Sequence, residues 1–394
     1  MLHRCRKMLY KVKSCFSKCH IHADNTIGER VLLIALYDAH GIETVKRTIF
    51  EYKRYSSYSV DIINVQEGLG RLSSEDLCIY KAIIIHDTAA YNINLLYEIY
   101  NKILKHYTGV KVVWRQDEHD KTNLFIDFFD KIELDFLLSI WDVATAEKIY
   151  KNNGKNRKLV IMNYLTGYVP DSYKKKKYWS EIRNVDVGYR GSLQPTIYGR
   201  LAYEKHFIGD EFVRFADQYH LKCDISSKWD DRIYGEKWLY FIGSCKAMLG
   251  VESGSDIVDF DGSVKAEYDL FLKEHPNSDE LERLDFLKKF EGKISYRAVS
   301  PRLFEAAACG TLQILFEGEY QGIFKQYEHY IPLKRDFSNI DEVVNYIRDD
   351  KLRKKIVDYA YEDIILSGKY SFESFVEKHD SYIKELEENK RSIS

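Results

Sequence analysis

The sequence predicts an α/β protein built from two successive units, each a mostly parallel sheet covered by helices. Three observations carry this expectation. The chain has 394 residues, more than one hydrophobic core usually organises, so two domains are expected. Short apolar runs alternate with longer amphipathic stretches about every 25 residues, the spacing of strand, helix and parallel strand with both sheet faces covered. The pattern then stops in a polar stretch, residues 170–184, and starts again.

Taken in order, strands are expected over 31–36, 61–65, 82–85, 111–114, 136–139 and 159–162, with helices over 44–55, 93–107 and 142–151. The second unit opens with a strand over 185–189 and the turn Arg190-Gly191-Ser192, followed by a long helix over 197–219. Strands over 223–225 and 247–250, a helix over 267–290, a helix over 301–309, strands over 312–316 and 330–333 and further helices complete it. The resulting division is a basic leader 1–26, a first domain 27–183, a second domain 184–370 and a C-terminal helix 371–394. Two such domains facing each other leave a cleft at the carboxyl ends of their strands, where ligands bind in this architecture.

Composition narrows the function classes. A net charge of −2 gives no general reason to expect a nucleic-acid partner. The seven cysteines include no Cys-x-x-Cys pair, and their odd number suits a reducing cytosol. Cys15, Cys19 and His20 lack a second ligand pair at metal-binding spacing, so no metal is expected. No apolar run approaches the roughly 20 residues that span a bilayer. Residues 1–23 carry Arg4, Arg6, Lys7, Lys11, Lys13 and Lys18 with interleaved apolar residues and no acid. That segment reads either as a surface helix touching anionic lipid or as a solvated leader. The location expected is therefore cytoplasmic, with peripheral contact at the inner membrane face as the alternative that the basic leader allows.

One segment is locally consistent to an unusual degree. In Ser300-Pro301-Arg302-Leu303-Phe304-Glu305-Ala306-Ala307-Ala308-Cys309-Gly310, Ser300 suits the N-cap, Pro301 the first helical position and Gly310 the C-terminal turn. The free amides of such a helix start form an anion site. Arg302 and Glu305, three residues apart, share a face. Arginine can pair with a diphosphate, and a carboxylate can accept from ribose hydroxyls. The alternative is an ordinary capped helix whose charges make surface ion pairs.

This stretch resembles the nucleotide-binding motif of GT-B glycosyltransferases, whose family-four members show Glu-Ala-x-Ala-x-Gly before an apolar strand. It is similar still more to the CgeB-like glycosyltransferases, with Ser300, Arg302, Phe304, Glu305, Ala306, Ala308 and Gly310 in their pattern. The resemblance continues through His329-Tyr330-Ile331-Pro332-Leu333 and Asp336-Phe337-Ser338. It implies a GT-B fold, two Rossmann-like domains facing a central cleft, with C-terminal helices returning toward the first domain. It also implies a nucleotide-sugar donor, with Glu305 on its ribose, no resident cofactor and no required metal. Family-four enzymes that retain configuration place a second glutamate eight residues earlier, where this chain has Arg297. The stereochemical outcome is therefore not assigned, and Arg297 is expected instead at the diphosphate or at an acidic sugar.

Other candidates come from strand ends. Gly191 and Ser192 follow the first strand of the second domain, where GT-B turns approach donor phosphates; a tight turn is the plainer alternative. Ser253 and Gly254, in Glu252-Ser253-Gly254-Ser255-Asp256, suit a donor-side loop. Asp259 and Asp261 form an Asp-x-Asp that this fold reading makes accidental. In the first domain Asp117 and Glu118, then His40, are the candidates for acceptor binding or for removing a hydroxyl proton. Polar loops that only cap helices are the competing explanation. The acceptor expected is a glycan or lipid-linked glycan. A Rossmann-type nucleotide enzyme is disfavoured because no Gly-x-Gly-x-x-Gly follows the first strand. An inactive GT-B scaffold stays open because of Arg297.

Overall fold

The computed structural model describes residues 21–22, 28–38, 43–70, 72–294 and 296–393. The first sheet has seven strands in the order β1-β3-β2-β4-β5-β6-β7. These are β1 (Ile21–His22), β2 (Arg30–Ala35), β3 (Ser59–Asn64), β4 (Tyr80–Ile85), β5 (Val110–Trp114), β6 (Phe136–Ser139) and β7 (Val160–Asn163). All pair in parallel except β1, which lies inside the stretch expected as leader and runs antiparallel to β3. Val31, Leu32, Leu33 and Ile34 of β2 are fully buried, as a strand covered on both faces requires.

The longer helices of this domain are α1 (Glu43–Tyr55), α2 (Ile93–Lys102), α3 (Thr122–Ile132) and α4 (Val143–Asn153), with single turns at Ser74–Leu77 and Asp87–Ala90. The helix expected over 93–107 ends at Lys102, because Ile103 leaves helical geometry and a single 3₁₀ turn, Leu104–His106, follows. α3 was not among the expected elements. It buries Phe125, Phe128, Phe129 and Ile132 on one face, an i, i+3, i+4, i+7 stripe.

The second sheet is β14-β13-β10-β8-β9, all parallel. Its strands are β8 (Val185–Arg190), β9 (Cys223–Ser226), β10 (Cys245–Gly250), β13 (Leu312–Phe316) and β14 (Ile331–Leu333). A separate antiparallel ribbon joins β11 (Ser253–Ser255) to β12 (Tyr296–Ala298). The helices are α5 (Arg200–Gln218), α6 (Glu236–Ser244), α7 (Ser263–Glu274), α8 (Glu280–Leu287), α9 (Pro301–Ala308), α10 (Ile340–Arg348) and α11 (Asp350–Ala360). The single helix expected over 267–290 is in fact two, α7 and α8. Pro276 cannot continue a helix, and Asp279 restarts one through a reciprocal capping box with Glu282.

The last helix, α12 (Phe372–Ile393), returns to the first domain. It buries Phe372, Phe375, Val376 and Ile383 in that domain's core. Asp380 accepts from the Tyr52 hydroxyl (3.2 Å), the Ser56 hydroxyl (2.9 Å) and the Ser57 amide (2.7 Å). Trp114 Nε1 donates to His379 Nε2 at 3.1 Å. The C-terminal helix is thus an integral layer of the first domain.

The carboxyl ends of the two sheets face each other. Residues just after β5 pair with residues just after β11, as Asp259 N donates to His119 O (2.7 Å) and Lys121 N to Asp259 O (2.6 Å). After β6, Ile140 O accepts from Gln321 Nε2 (3.4 Å), while Gln321 Oε1 accepts from Val299 N (3.1 Å).

Candidate active site at the interdomain cleft

α9 is built as its sequence predicts. The Ser300 side chain accepts from Arg302 N, and Pro301 opens the first turn. Gly310 has φ +63°, and a Cβ there would lie 2.5 Å from the Trp179 ring, so only glycine fits. The far end of the helix is clamped by the linker between the domains. Trp179 Nε1 donates to Ala308 O at 2.8 Å. The Arg183 guanidinium donates to Cys309 O (3.1 Å), Gly310 O (2.7 Å), Thr311 Oγ1 (2.8 Å) and Cys245 O (2.6 Å). These bonds satisfy carbonyls that a helix end leaves open. Ala306, Ala307 and Ala308 are buried in the core rather than bordering a ligand space. Their small size serves helix–sheet packing.

Arg302 and Glu305 do share a face, and both meet Trp238 of α6. Trp238 Nε1 donates to Glu305 Oε2 at 2.7 Å, and the Arg302 guanidinium lies 5.3 Å from the Trp238 ring centre. Arg302 also donates to Arg190 O, at the end of β8. Glu305 is only 6% exposed. Burial pushes its carboxyl pKa up, while Trp238, Arg47, Arg302 and Tyr173 pull it back.

Sequence reading missed Lys205. It stands on α5, half-buried, and no hydrogen bond or ion pair among the described residues holds its ammonium. Burial lowers its pKa, the carboxylate of Asp117 across the cleft opposes this, and Arg302 adds to the lowering. Lys205 therefore feels the charge of a first-domain carboxylate and of a second-domain arginine. A lysine on an amphipathic helix gives no local signal of such a position.

Gly191 ends β8 in a tight contact. A Cβ there would meet Ser227 Oγ at 2.4 Å and Lys205 O at 2.6 Å, so packing of α5 already demands glycine. Ser192 Oγ accepts from Gln194 Nε2 at 2.9 Å. Ser253 and Gly254 belong to the β11–β12 ribbon, where Gly254 stands opposite Arg297. With φ +118° and Tyr296 O at 1.9 Å from a built Cβ, Gly254 is required by strand approach.

Arg297 corrects an expectation. Its guanidinium is taken up by two acids of its own domain, Glu252 (2.9 Å) and Asp256 (3.1 Å). A cation neutralised in this way is not poised for a diphosphate or an acidic sugar. It lines a cavity of about 380 Å³ with Arg200, Glu204, Glu252, Glu317 and Arg335. Arg335 there is paired with Glu204 at 2.6 Å.

In the first domain, Asp117 and Glu118 separate. Asp117 is exposed just beyond β5, in left-handed backbone geometry (φ +52°). Glu118 is 0% exposed. Its carboxylate accepts from Ser139 Oγ (3.0 Å), Ile140 N (2.7 Å) and Tyr150 Oη (2.5 Å). Burial pushes its pKa up to about 7, against the lowering by Arg115, Tyr150, Ile140 and Ser139. With every carboxylate partner inside the first domain, the Glu118 side chain braces the loops after β5 and β6, while its amide donates to Tyr296 Oη of β12 (3.3 Å), and the expectation that its carboxylate meets an acceptor is withdrawn. His40 lies outside the described residues.

Other suggestive groups resolve into structure. Asp259 accepts from the amides of Gly262 (2.9 Å), Val264 (3.3 Å) and Lys265 (3.0 Å), and Asp261 from Ser263 N (2.9 Å), so both cap α7. Glu328, His329 and Asp363 come together in a metal-like cluster. However, His329 Nδ1 accepts from Lys325 N (3.2 Å), which leaves the ring proton on Nε2 facing Asp363 (3.2 Å). A neutral imidazole held in that tautomer has no lone pair for a metal at Nε2. In the linker, four consecutive lysines, 174–177, make local contacts: Lys174 pairs with Asp171 (2.9 Å), Lys177 with Glu236 (2.5 Å), and Lys176 lies over Trp179 (4.2 Å).

Comparison with known proteins places this geometry. Residues 272–375, which contain all of α9, match the family described as glycosyl transferase-like. No curated protein matches the sequence. Among solved structures, the chain is similar to a DNA-modifying beta-glucosyltransferase studied with and without uridine diphosphoglucose, with 14% identity, 90% of this chain and 99% of that chain covered, and a TM-score of 0.51. Sucrose-phosphate synthase of Thermosynechococcus elongatus aligns over 91% of this chain and 99% of its own at 11% identity and TM-score 0.49. TarM of S. aureus aligns over 77% of this chain at 12% identity and TM-score 0.45. The chain spans 54% of the length of TarM. The architecture is GT-B, and residues 272–375 are glycosyl transferase-like. Among the described residues, no helix is long and apolar enough to cross a membrane.

Proposed function

We propose that the protein transfers a sugar from a nucleotide-sugar donor to a hydroxyl of a glycan or lipid-linked glycan, as in the assembly of a bacterial surface polysaccharide. The observation that carries this reading is the pairing of Arg302 and Glu305 around Trp238 beside the capped start of α9, within the glycosyl transferase-like segment, with Lys205 of α5 in the electrostatic field of Arg302 and Asp117.

In this reading the remaining lone pairs of Glu305 accept from the ribose hydroxyls. Lys205, Arg302 and the α9 amides stabilise the negative charge that grows on the departing diphosphate. That set supplies the charge a metal would otherwise bring, so no metal is needed. Asp117, the exposed carboxylate across from Lys205, takes the proton of the attacking hydroxyl. The cytoplasm is the expected setting, with the basic residues 1–23 as a contact for anionic lipid.

A panel of nucleotide sugars tests the proposal by release of the nucleoside diphosphate, with and without a mixed glycan acceptor fraction. The expected result is acceptor-stimulated release from one donor class, lost in Glu305→Ala and in Lys205→Ala. Binding of a nucleotide without any turnover would point instead to an inactive scaffold. Absence of nucleotide binding would remove the donor-site reading altogether.

A further inference from the structure

One side chain outside α9 touches both of the α9 groups read as donor-binding. Trp238 stands on α6, which is tied to the end of α9 by Thr311 Oγ1 donating to Ile242 O at 2.9 Å. Leu239 and Ile242 anchor α6 in the core. Trp238, half-buried, occupies the flank that meets Glu305 and Arg302. Its ring is itself fixed. Phe241, one turn on, stacks against it with 5.7 Å between ring centres and 27° between planes, and the Arg190 guanidinium lies 4.4 Å from the Phe241 ring. Arg190 is anchored at the end of β8 by Asp224 (2.8 Å) and Asp231 O (2.9 Å), and its carbonyl accepts from Arg302. Arg302, Trp238, Phe241 and Arg190 thus close a circuit of contacts. The two contacts that Trp238 makes to α9 differ in kind. An indole N–H only donates, so Nε1 holds Glu305 Oε2 in one direction, at 2.7 Å. The last torsion of a glutamate is otherwise broad, and a charge-assisted hydrogen bond narrows it. The ring face attracts the Arg302 guanidinium, 5.3 Å away, without using any of its N–H donors.

We propose that Trp238 is a positioning residue of the donor site: its N–H orients the Glu305 carboxylate for the ribose hydroxyls, and its ring sets Arg302 for the diphosphate. The proposal rests on the reading of Glu305 and Arg302 as the donor-binding groups. Trp238 acts through these two side chains, as partners behind a metal ligand do, and touches no reacting atom. Its two roles can be removed separately. Trp238→Phe deletes the N–H and keeps an aromatic face under Arg302, whereas Trp238→Ala deletes both. The N–H serves only a ligand with ribose hydroxyls, and the ring serves any ligand with a diphosphate.

The test is calorimetric titration of the intact protein with three probes: whichever of UDP, GDP or CMP the wild type binds, the 2′,3′-dideoxy form of that nucleotide, and pyrophosphate. The variants are Trp238→Phe, Trp238→Ala, Glu305→Ala and the double variant Trp238→Phe with Glu305→Ala, each checked for its Tm. The wild type is expected to prefer the ribonucleotide to its dideoxy form by roughly tenfold, the scale of a hydrogen bond to a charged group. Trp238→Phe should cut that preference to about threefold or less while leaving pyrophosphate affinity within about twofold of wild type. Trp238→Ala should also weaken pyrophosphate, by about fivefold. Glu305→Ala should bind both nucleotide forms alike, and adding Trp238→Phe to it should change their ratio no further. If the wild type discriminates and Trp238→Phe discriminates equally well, the positioning role is wrong. It is equally wrong if Trp238→Phe weakens all three probes by the same factor, as a merely structural ring would. If the wild type itself binds the two nucleotide forms alike, the ribose reading fails, and this inference falls with it.

Discussion

At the residue scale, Asp117 and Glu118 show how one peptide step separates an exposed carboxylate from a structural one. The left-handed backbone of Asp117 turns its side chain outward while Glu118 turns in to Ser139, Ile140 and Tyr150. Asp117→Asn should lower turnover by about 10²-fold or more, the scale of losing a general base. Glu118→Gln should retain most activity in a transfer assay. Its effect belongs to stability. The folded pKa of Glu118 lies above the ordinary 4.5, so the native state holds the proton more tightly than the unfolded chain. Its contribution to stability is therefore full below about 4.5 and is lost as pH rises through about 7. Denaturant titrations at several pH values should show that slope in the wild type and a flatter one in Glu118→Gln. A large loss of turnover in Glu118→Gln with an intact fold would restore it as a base. Arg297→Ala should destabilise by about 2 kcal/mol, because it strands two acids, one of them nearly buried.

At the scale of elements, α9 depends on both of its ends. Gly310→Ala combines an unfavourable positive φ with a clash against Trp179, and should cost more than about 1 kcal/mol. Arg183→Ala leaves several carbonyls without a donor and should cost about 3 kcal/mol, read as a drop in urea midpoint. α9 was legible in sequence because cap, proline, short apolar run and glycine all agree on one helix. The buried parallel strands were legible for a similar reason, since strands such as 31–35 must be apolar on both faces. α3 was not, although its stripe is regular. Its ends carry Lys121 and Glu133 in left-handed geometry, residues that give no boundary signal. The break between α7 and α8 was signalled by Pro276 and overlooked. Lys205 was beyond reach, because only tertiary packing brings it to the cleft, and the same packing decides that Glu118 is enclosed.

At the scale of the whole molecule, the two domains are tied by the linker, by the 119–123 and 259–260 backbone pairing, and by α12. Removing α12 would expose Trp114, Tyr52 and Phe136, all fully buried. A chain ending at Ser371 should therefore lose cooperative unfolding of the first domain, observed as a broadened or missing transition in calorimetry, while the second domain retains its own. The central claim is that this GT-B cleft binds a nucleotide through α9. The most direct measurement is a thermal-shift titration of the intact protein with UDP, GDP and CMP, in wild type and Glu305→Ala. The expected result is a saturable rise in Tm with one of the three that Glu305→Ala abolishes. Stabilisation that survives Glu305→Ala, or none with any of the three, would contradict it.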